Sequence, residues 1–289
     1  MYALLALGYT LVYGILLMIN FAHAEMFMFG AYAGLFTLQG LSRIEFFTSS
    51  GPALLLLYVL TFLIAMVATG ILGVIIERFA YRPLRHAPRL APLISAIGVS
   101  LFLQNAALLW ISSRSLPFPV LFEVRTFSIG GASISSMQIL IVTVTIMLML
   151  VLDTFVSRTR LGKSMRATSQ DRDTAGLMGI DINRVIALTF FIGPALGGAA
   201  GIFSGMYYGN IKYNMGFIPG IKSFTAAVVG GIGNLRGAML GGFLIGLLES
   251  LAAAYISTGY KDVIAFVILI IVLIFKPGGL LGESVAEKV

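Results

Sequence analysis

Five stretches of this sequence run without a single Asp, Glu, Lys or Arg: Met1 to Ala24, Phe46 to Ile76, Leu90 to Ser113, Thr126 to Leu152 and Val185 to Ile211. Each is longer than a globular core helix needs, and about 20 apolar residues suffice to cross a bilayer as a helix. The runs are continuous and do not alternate with period two, so a transmembrane barrel does not fit. Charged residues make up 11% of the 289 residues, against roughly a quarter in an average soluble domain. That is too little charge to cover a water-facing surface. A soluble enzyme, a disordered chain and a nucleic-acid binder are therefore excluded, and the expected fold class is all-α: a polytopic membrane protein in the lipid bilayer. Cysteine is absent, which removes disulfides and thiolate ligands.

Hydropathy and punctuation place helices near 1–21, 25–42, 53–77, 91–112, 137–156, 184–208, 222–256 as a broken pair of segments, and 262–276. That makes about eight elements in a single transmembrane domain, 1–289. The first run has no basic flank before it and reads as a retained helix, short of its natural start. Orientation follows from the basic residues. Arg78, Arg82, Arg85 and Arg89 share one loop, and Arg158, Arg160, Lys163, Arg166, Arg172 and Arg184 share another; both are expected to be cytoplasmic. With Arg236, Lys276 and Lys288 this puts 13 of the 19 basic residues inside, leaving Arg43, Arg114, Arg125, Lys212, Lys222 and Lys261 outside. The N-terminus then falls outside and the C-terminus in the cytoplasm.

The glycines are spaced. Gly193, Gly197, Gly201, Gly205 and Gly209 recur at every fourth position, and Gly242 and Gly246 begin a second such row continued by Ser250 and Ala254. Small residues on one helix face let backbones approach closely, a main source of helix association in lipid. Packing within one subunit is the plain reading; a sliding or subunit interface is the alternative. The segment VVGGIGNLRGAM at 228–239 lacks the Lys-Ser/Thr ending and the preceding strand of a phosphate loop, so nucleotide binding is rejected there. It reads as an interrupted helix, tolerated at membrane depth only beside protein or a water-filled cavity. Pro219-Gly220 reads as another break.

Ionisable groups within apolar spans cost on the order of 3 kcal/mol each on insertion scales, so each needs a reason. Asn20, His23 and Glu25 cluster between the first two helices, as capping groups of a tight turn or as the polar lining of a conduit, with Glu25 placed to meet a helix N-terminus. Glu249 stands alone in a Gly/Ala-rich run and should face the bundle interior, as a pathway residue or as a partner of Ser, Tyr or a neighbouring subunit. Glu77, Asp153 and Asp262 are expected at helix ends, beside Arg78, Arg158 and Lys261. No pair of acids and no nucleophile with a base can be read as catalytic, and with only His23 and His86 a multi-histidine metal centre is excluded. Neither catalysis nor a cofactor is expected.

The one sizeable hydrophilic block, 157–184, reads SRTRLGKSMRATSQDRDTAGLMGIDINR: a basic start, a helix-competent stretch from Ala167 to Met178, and Gly179 as a stop. It suits an interfacial helix on anionic lipid or a docking helix for a cytoplasmic partner.

GYTLVYGILLMINFAHAEMFMFGAY at 8–32, RATSQDRDTAGLMGIDINRVIALTFFIG at 166–193, KSFTAAVVGGIGNLRGAMLGGFLIGLLES at 222–250 and YKDVIAFVILIIVLIFKPGGLLG at 260–282 resemble the permease subunits of branched-chain amino acid ABC importers. The resemblance covers nearly the whole chain. It implies a plasma-membrane protein of a prokaryote, in the inner membrane if the cell is Gram-negative, moving leucine, isoleucine and valine inward by alternating access. It also implies the partners: a second related permease in a heterodimer, two cytoplasmic ATP-binding subunits and an extracytoplasmic solute-binding protein. The loop at 157–184 resembles the family's coupling loop, with Arg166, Ala167, Asp171 and Gly179 as the motif-like positions, although a Glu-Ala-Ala sequence is lacking. Asn20, His23, Glu25 and Glu249 are the expected pathway residues. The rival readings are a permease for urea, a short amide or another amino acid, and a stand-alone secondary carrier or channel.

Overall fold

The computed structural model describes residues 1–282 apart from Ile19, His86, Arg89, Gly130, Gly131 and Pro277. The expectations for Arg89, Lys288 and the C-terminus fall outside the described residues. The helices are α1 (Tyr2–Leu16), α2 (His23–Leu41), a single turn α3 (Glu45–Thr48), α4 (Gly51–Ile76), α5 (Leu90–Trp110), α6 (Ser136–Arg158), α7 (Arg160–Gln170), α8 (Arg172–Leu177), α9 (Ile182–Tyr208), α10 (Phe217–Gly230), α11 (Leu235–Tyr255) and α12 (Lys261–Phe275). Among the described residues six helical segments are long and apolar enough to cross a membrane: Gly51–Leu84, Leu90–Trp110, Ser136–Arg158, Ile182–Tyr208, Leu235–Tyr255 and Thr258–Phe275, with Tyr2–Leu16 and Phe217–Gly230 as shorter apolar helices. α2 is long enough but carries His23, Glu25 and Gln39. Two short ribbons complete the fold: β1 (Leu116–Pro117) pairs with β4 (Asn210–Ile211), and β2 (Thr126–Ile129) with β3 (Ala132–Ser135), both antiparallel.

The helix ends have local causes. α1 stops at Leu16 rather than near residue 21, because Leu17 turns left-handed with φ 54°. Ser135 and Gln138 cap α6 reciprocally, each side chain meeting the other's backbone N–H, which satisfies two otherwise orphaned donors. Pro219, expected as a break, lies instead in the first turn of α10, where a missing N–H removes no helix bond. The expected interruption at 231–234 is real: Gly231 and Gly233 adopt φ of 110° and 96°, and the chain reverses so that α11 packs back along α10.

α9 is the axis of the bundle and is buried along most of its length against α1, α2 and α4. The glycine row explains how. A methyl group on Gly193 would press on Gly8 of α1, one on Gly201 would overlap the Phe27 carbonyl of α2, and one on Gly205 would meet Phe118. Gly197 faces Met26 and His23, and the off-row Gly198 faces Thr69 of α4. These four row glycines face neighbouring segments of this same chain. Gly209 does not: it is the left-handed C-cap of α9, φ 69°, with open space around it. In the second row Gly242 sits on the Ala3 backbone, while Gly246 meets only the edge of Tyr2. By contrast α12 buries only Ala265, as a helix facing lipid tails would.

Candidate functional site

The segment 157–184 folds as two helices rather than one, cut by three capping side chains. Thr159 ends α6 and its hydroxyl accepts the Gly162 N–H to start α7. Asp171 then ends α7 in extended backbone, and its carboxylate accepts from the N–H groups of Asp173 and Thr174 and from the Thr174 hydroxyl at 2.6 Å, starting α8. These donors, the Thr174 hydroxyl foremost, hold the Asp171 carboxyl below the usual carboxylate range. After α8 the chain turns at Gly179, φ 83°, and Asp181 caps α9 through the Arg184 N–H. Arg166 donates to the Ser157 carbonyl at 3.1 Å, and Ala167 lies half-buried on α7. Two apolar side chains at the tip have no cover: Leu177 is 88% and Met178 79% exposed. Nothing lies within reach of a side chain at Gly176 or Gly179.

Among the described residues, one side-chain hydrogen bond ties the tip to the bundle. Arg172 of α8 donates to the Ile15 carbonyl of α1 at 2.7 Å, one residue before the end of α1. Close by, Arg85 donates to Asn183 at 2.6 Å and pairs with Glu77. Glu77 is fully buried and also accepts from Arg82 at 3.1 Å, so its partners are Arg82 and Arg85, not Arg78.

Past the break the chain does not begin α2 at the bundle end. Gly8 of α1 faces both His23 and Gly193, and Gly193 lies eleven residues into α9, about 17 Å from its start at 1.5 Å per residue. α2 therefore starts roughly halfway along α9 and runs parallel to it, Gly30 against Gly198 and Gly34 against Ile202. α10 starts at the same level from the opposite end, since Gly216 and Gly220 both lie on Ala24. Two half-helices thus place their N-termini together inside the bundle, an arrangement that surrounds solute sites in several transporter folds.

Three expected pathway residues gather at this junction. Asn20 accepts the Tyr81 hydroxyl at 2.8 Å. His23 is fully buried, edge-on to the Tyr9 ring at 4.7 Å between centroids. Glu25 does not cap α2: its Oε1 accepts from Ser100 at 2.9 Å and from Gln104 at 2.7 Å, both on α5. The Ser100 and Gln104 pairing was legible in principle as two polar residues four apart on an apolar helix. A cleft of about 580 Å³ opens between α2, α5 and α10, bordered by Ser100, Gln104, Asn214, Leu101, Ile218 and Phe224 among others.

Glu249 lies apart from that junction and is not isolated. Lys222, expected on the outer side at the start of its helix, is 1% exposed inside the bundle; it donates to Glu249 at 2.8 Å and pairs with Asp262 at 2.5 Å, with the Tyr2 hydroxyl 3.4 Å away. The long sequence separation of Lys222 and Glu249 hid the pair. Asp262 thus meets Lys222 rather than Lys261, and Asp153 pairs with Arg236 at 3.2 Å rather than Arg158. Among the described residues no group of three His, Cys, Asp or Glu could hold a metal ion.

The family model for the branched-chain amino acid transport system permease component matches residues 1–273. The high-affinity branched-chain amino acid transport system permease protein BraD of Pseudomonas aeruginosa is 48% identical, covering 100% of this chain and 94% of its own. The corresponding LivH of Escherichia coli is 46% identical, with 100% and 93% covered. A probable branched-chain amino acid transport permease of Methanocaldococcus jannaschii is 29% identical over 96% of this chain and 88% of its own. No solved structure matches. A glycine-packed helical bundle, an exposed two-helix segment and full-length similarity of this extent agree: the chain belongs to the family of branched-chain amino acid transport system permease components.

Proposed function

We propose that this chain, with a second related permease, carries leucine, isoleucine and valine into a prokaryotic cell across its plasma membrane. An extracytoplasmic binding protein delivers the solute, and two cytoplasmic ATPases drive the step through residues 157–184. The carrying observation is the tip of α8. Leu177 and Met178 are apolar side chains on a polar segment, 88% and 79% exposed among the described residues, and Gly176 and Gly179 leave the backbone beside them open to close approach. An apolar knob flanked by bare backbone fits a groove on another protein better than it fits water.

The mechanics follow from the tether. Force on the tip is carried by Arg172 to the Ile15 carbonyl, at the point where α1 gives way to the non-helical stretch leading to α2. A break in a helix bends more readily than a helix, so pushing there tilts α2 relative to α1 about the glycine contacts. A zwitterion crosses hydrocarbon only along polar groups, and the half-helix junction supplies them. The positive residues at 82–85 and 158–184 support a cytoplasmic position for this end of the bundle, and the same threading puts the C-terminus inside.

The test is uptake into vesicles reconstituted with both permeases, both ATPases and leucine-loaded binding protein, with ATP on the tip side. Leucine accumulation that needs all parts is expected. Accumulation by this chain alone would make it a carrier and defeat the reading, as would a reporter fused after Val289 found outside the cell.

A further inference from the structure

The polar groups bordering the cleft between α2, α5 and α10 are oriented by what lies behind them. Glu25 is fully buried, and the Ser100 hydroxyl and the Gln104 amide both donate to its Oε1, while Oε2 has no partner among the described residues. With those donors committed to Glu25, Ser100 retains only its hydroxyl lone pairs, and Gln104 offers its amide oxygen beside one remaining N–H. When Glu25 is ionised, its charge behind these acceptors favours a cationic donor, and a buried carboxylate with one bare oxygen is costly until a cation or proton comes near.

The remaining walls differ. The first turn of α10, which no side chain caps, borders the cleft through Phe217 and Ile218, with Asn214 just before it. The positive end of its peptide dipoles and the Asn214 amide suit an anionic group. Leu101, Ile221 and Phe224 give an apolar surface between these polar ends. The volume of about 580 Å³ is that of a small-molecule site. An acyl chain of lipid would fill the apolar part and leave Glu25 uncompensated.

We propose that this cleft is a transit site for an aliphatic α-amino acid. The ammonium lies at Ser100 and Gln104, which pass on the charge of Glu25; the carboxylate lies at Asn214 and the start of α10; and the branched side chain lies on Leu101, Ile221 and Phe224. The proposal rests on the import reading above and adds to it a place within the permease where the solute's side chain is felt.

The absence of cysteine makes a direct test available. Ile218→Cys, in the complete reconstituted importer, is converted by a water-soluble methanethiosulfonate to a mixed disulfide, methanesulfinate leaving, and the modification is read by mass on this chain. Millimolar leucine is expected to slow this modification roughly tenfold, glutamate at the same concentration to leave it unchanged, and Glu25→Gln to remove the leucine protection. Gln104→Leu, on the half-buried side of α5, serves the same purpose if Glu25→Gln does not assemble. An unreactive thiol, covered by the second permease or by lipid, overturns the proposal; so does a reaction rate indifferent to leucine, or protection that survives both substitutions. ATP-driven leucine uptake by the unmodified importer separates the two readings. If uptake is absent, the import reading fails; if uptake is present and the thiol is not protected, only the transit site falls.

Discussion

Asp171 ends α7 with its extended backbone and starts α8 with its carboxylate, which accepts the capping bonds best when ionised. Its pKa is lowered in the fold by the hydrogen bonds it accepts from Thr174 and Asp173. A depressed carboxylate contributes stability that is present above its unfolded pKa and lost as pH falls through the folded one. Amide exchange at Asp173 and Thr174 should therefore be slow at neutral pH and accelerate in acid below the ordinary carboxylate range. Asp171→Asn, whose amide oxygen can still cap, should keep the protection and lose the pH dependence, and Asp171→Ala should lose protection at every pH. The glycines make a second test at this scale. A methyl group at Gly201 would overlap the Phe27 carbonyl, whereas at Gly246 it would meet only the edge of Tyr2. Gly201→Ala is expected to destabilise by about 1–3 kcal/mol, the usual cost of overpacking, and Gly246→Ala to leave thermal stability unchanged; equal melting of the two would remove the packing role of the row.

Among the elements, α10 is held in place by ions rather than by length. At 14 residues it is about 21 Å long, too short to anchor itself across a bilayer, and Lys222 fastens it to Glu249 of α11 and Asp262 of α12. Lys222 is 1% exposed, so removing it strands a carboxylate inside the bundle, a change that costs about 3–5 kcal/mol when a buried pair is broken. Lys222→Met should lower the yield and melting temperature of detergent-solubilised protein sharply. Glu249→Gln should do much less, because Asp262 still balances the lysine. Were Glu249→Gln to stop uptake while the fold stayed intact, Glu249 would belong to the pathway rather than to this fastening. The spans themselves were legible because an uncharged run of more than twenty residues has few alternatives to a membrane helix. What was not legible is pairing across distance: the sequence offers Lys261 next to Asp262 and Arg158 near Asp153, and the bundle instead brings Lys222 and Arg236 to them. Nearness along a chain predicts ion pairs on one helix face and says little about pairs between helices.

At the scale of the whole molecule, the same limit applies to the site. The motifs around Asn20, His23 and Glu25 and around 166–184 were visible as polar islands, but not that α2 and α10 start at one level, since that depends on how α1 and α9 lie against each other through Gly8 and Gly193. Nor could spacing reveal that Arg172 reaches back 157 residues to the Ile15 carbonyl. As an ABC permease, the chain works with an ATPase and a binding protein, and on the reading proposed above this hydrogen bond joins the docking tip to α1, whose Tyr9 borders the cleft. A charge-assisted bond of this kind is worth about 1.5–3 kcal/mol, enough to change the coupling between two states by roughly tenfold or more. Docking and transmission should then be separable. Leu177→Asp, which puts a charge on the exposed tip, should prevent the ATPases from co-purifying with the permease. Arg172→Ala should leave co-purification intact and ATP hydrolysis running, while leucine uptake per ATP hydrolysed falls roughly tenfold. If Arg172→Ala lowers hydrolysis and uptake in proportion, the tether belongs to docking and force must enter the bundle elsewhere, through α7 and its contact with α1.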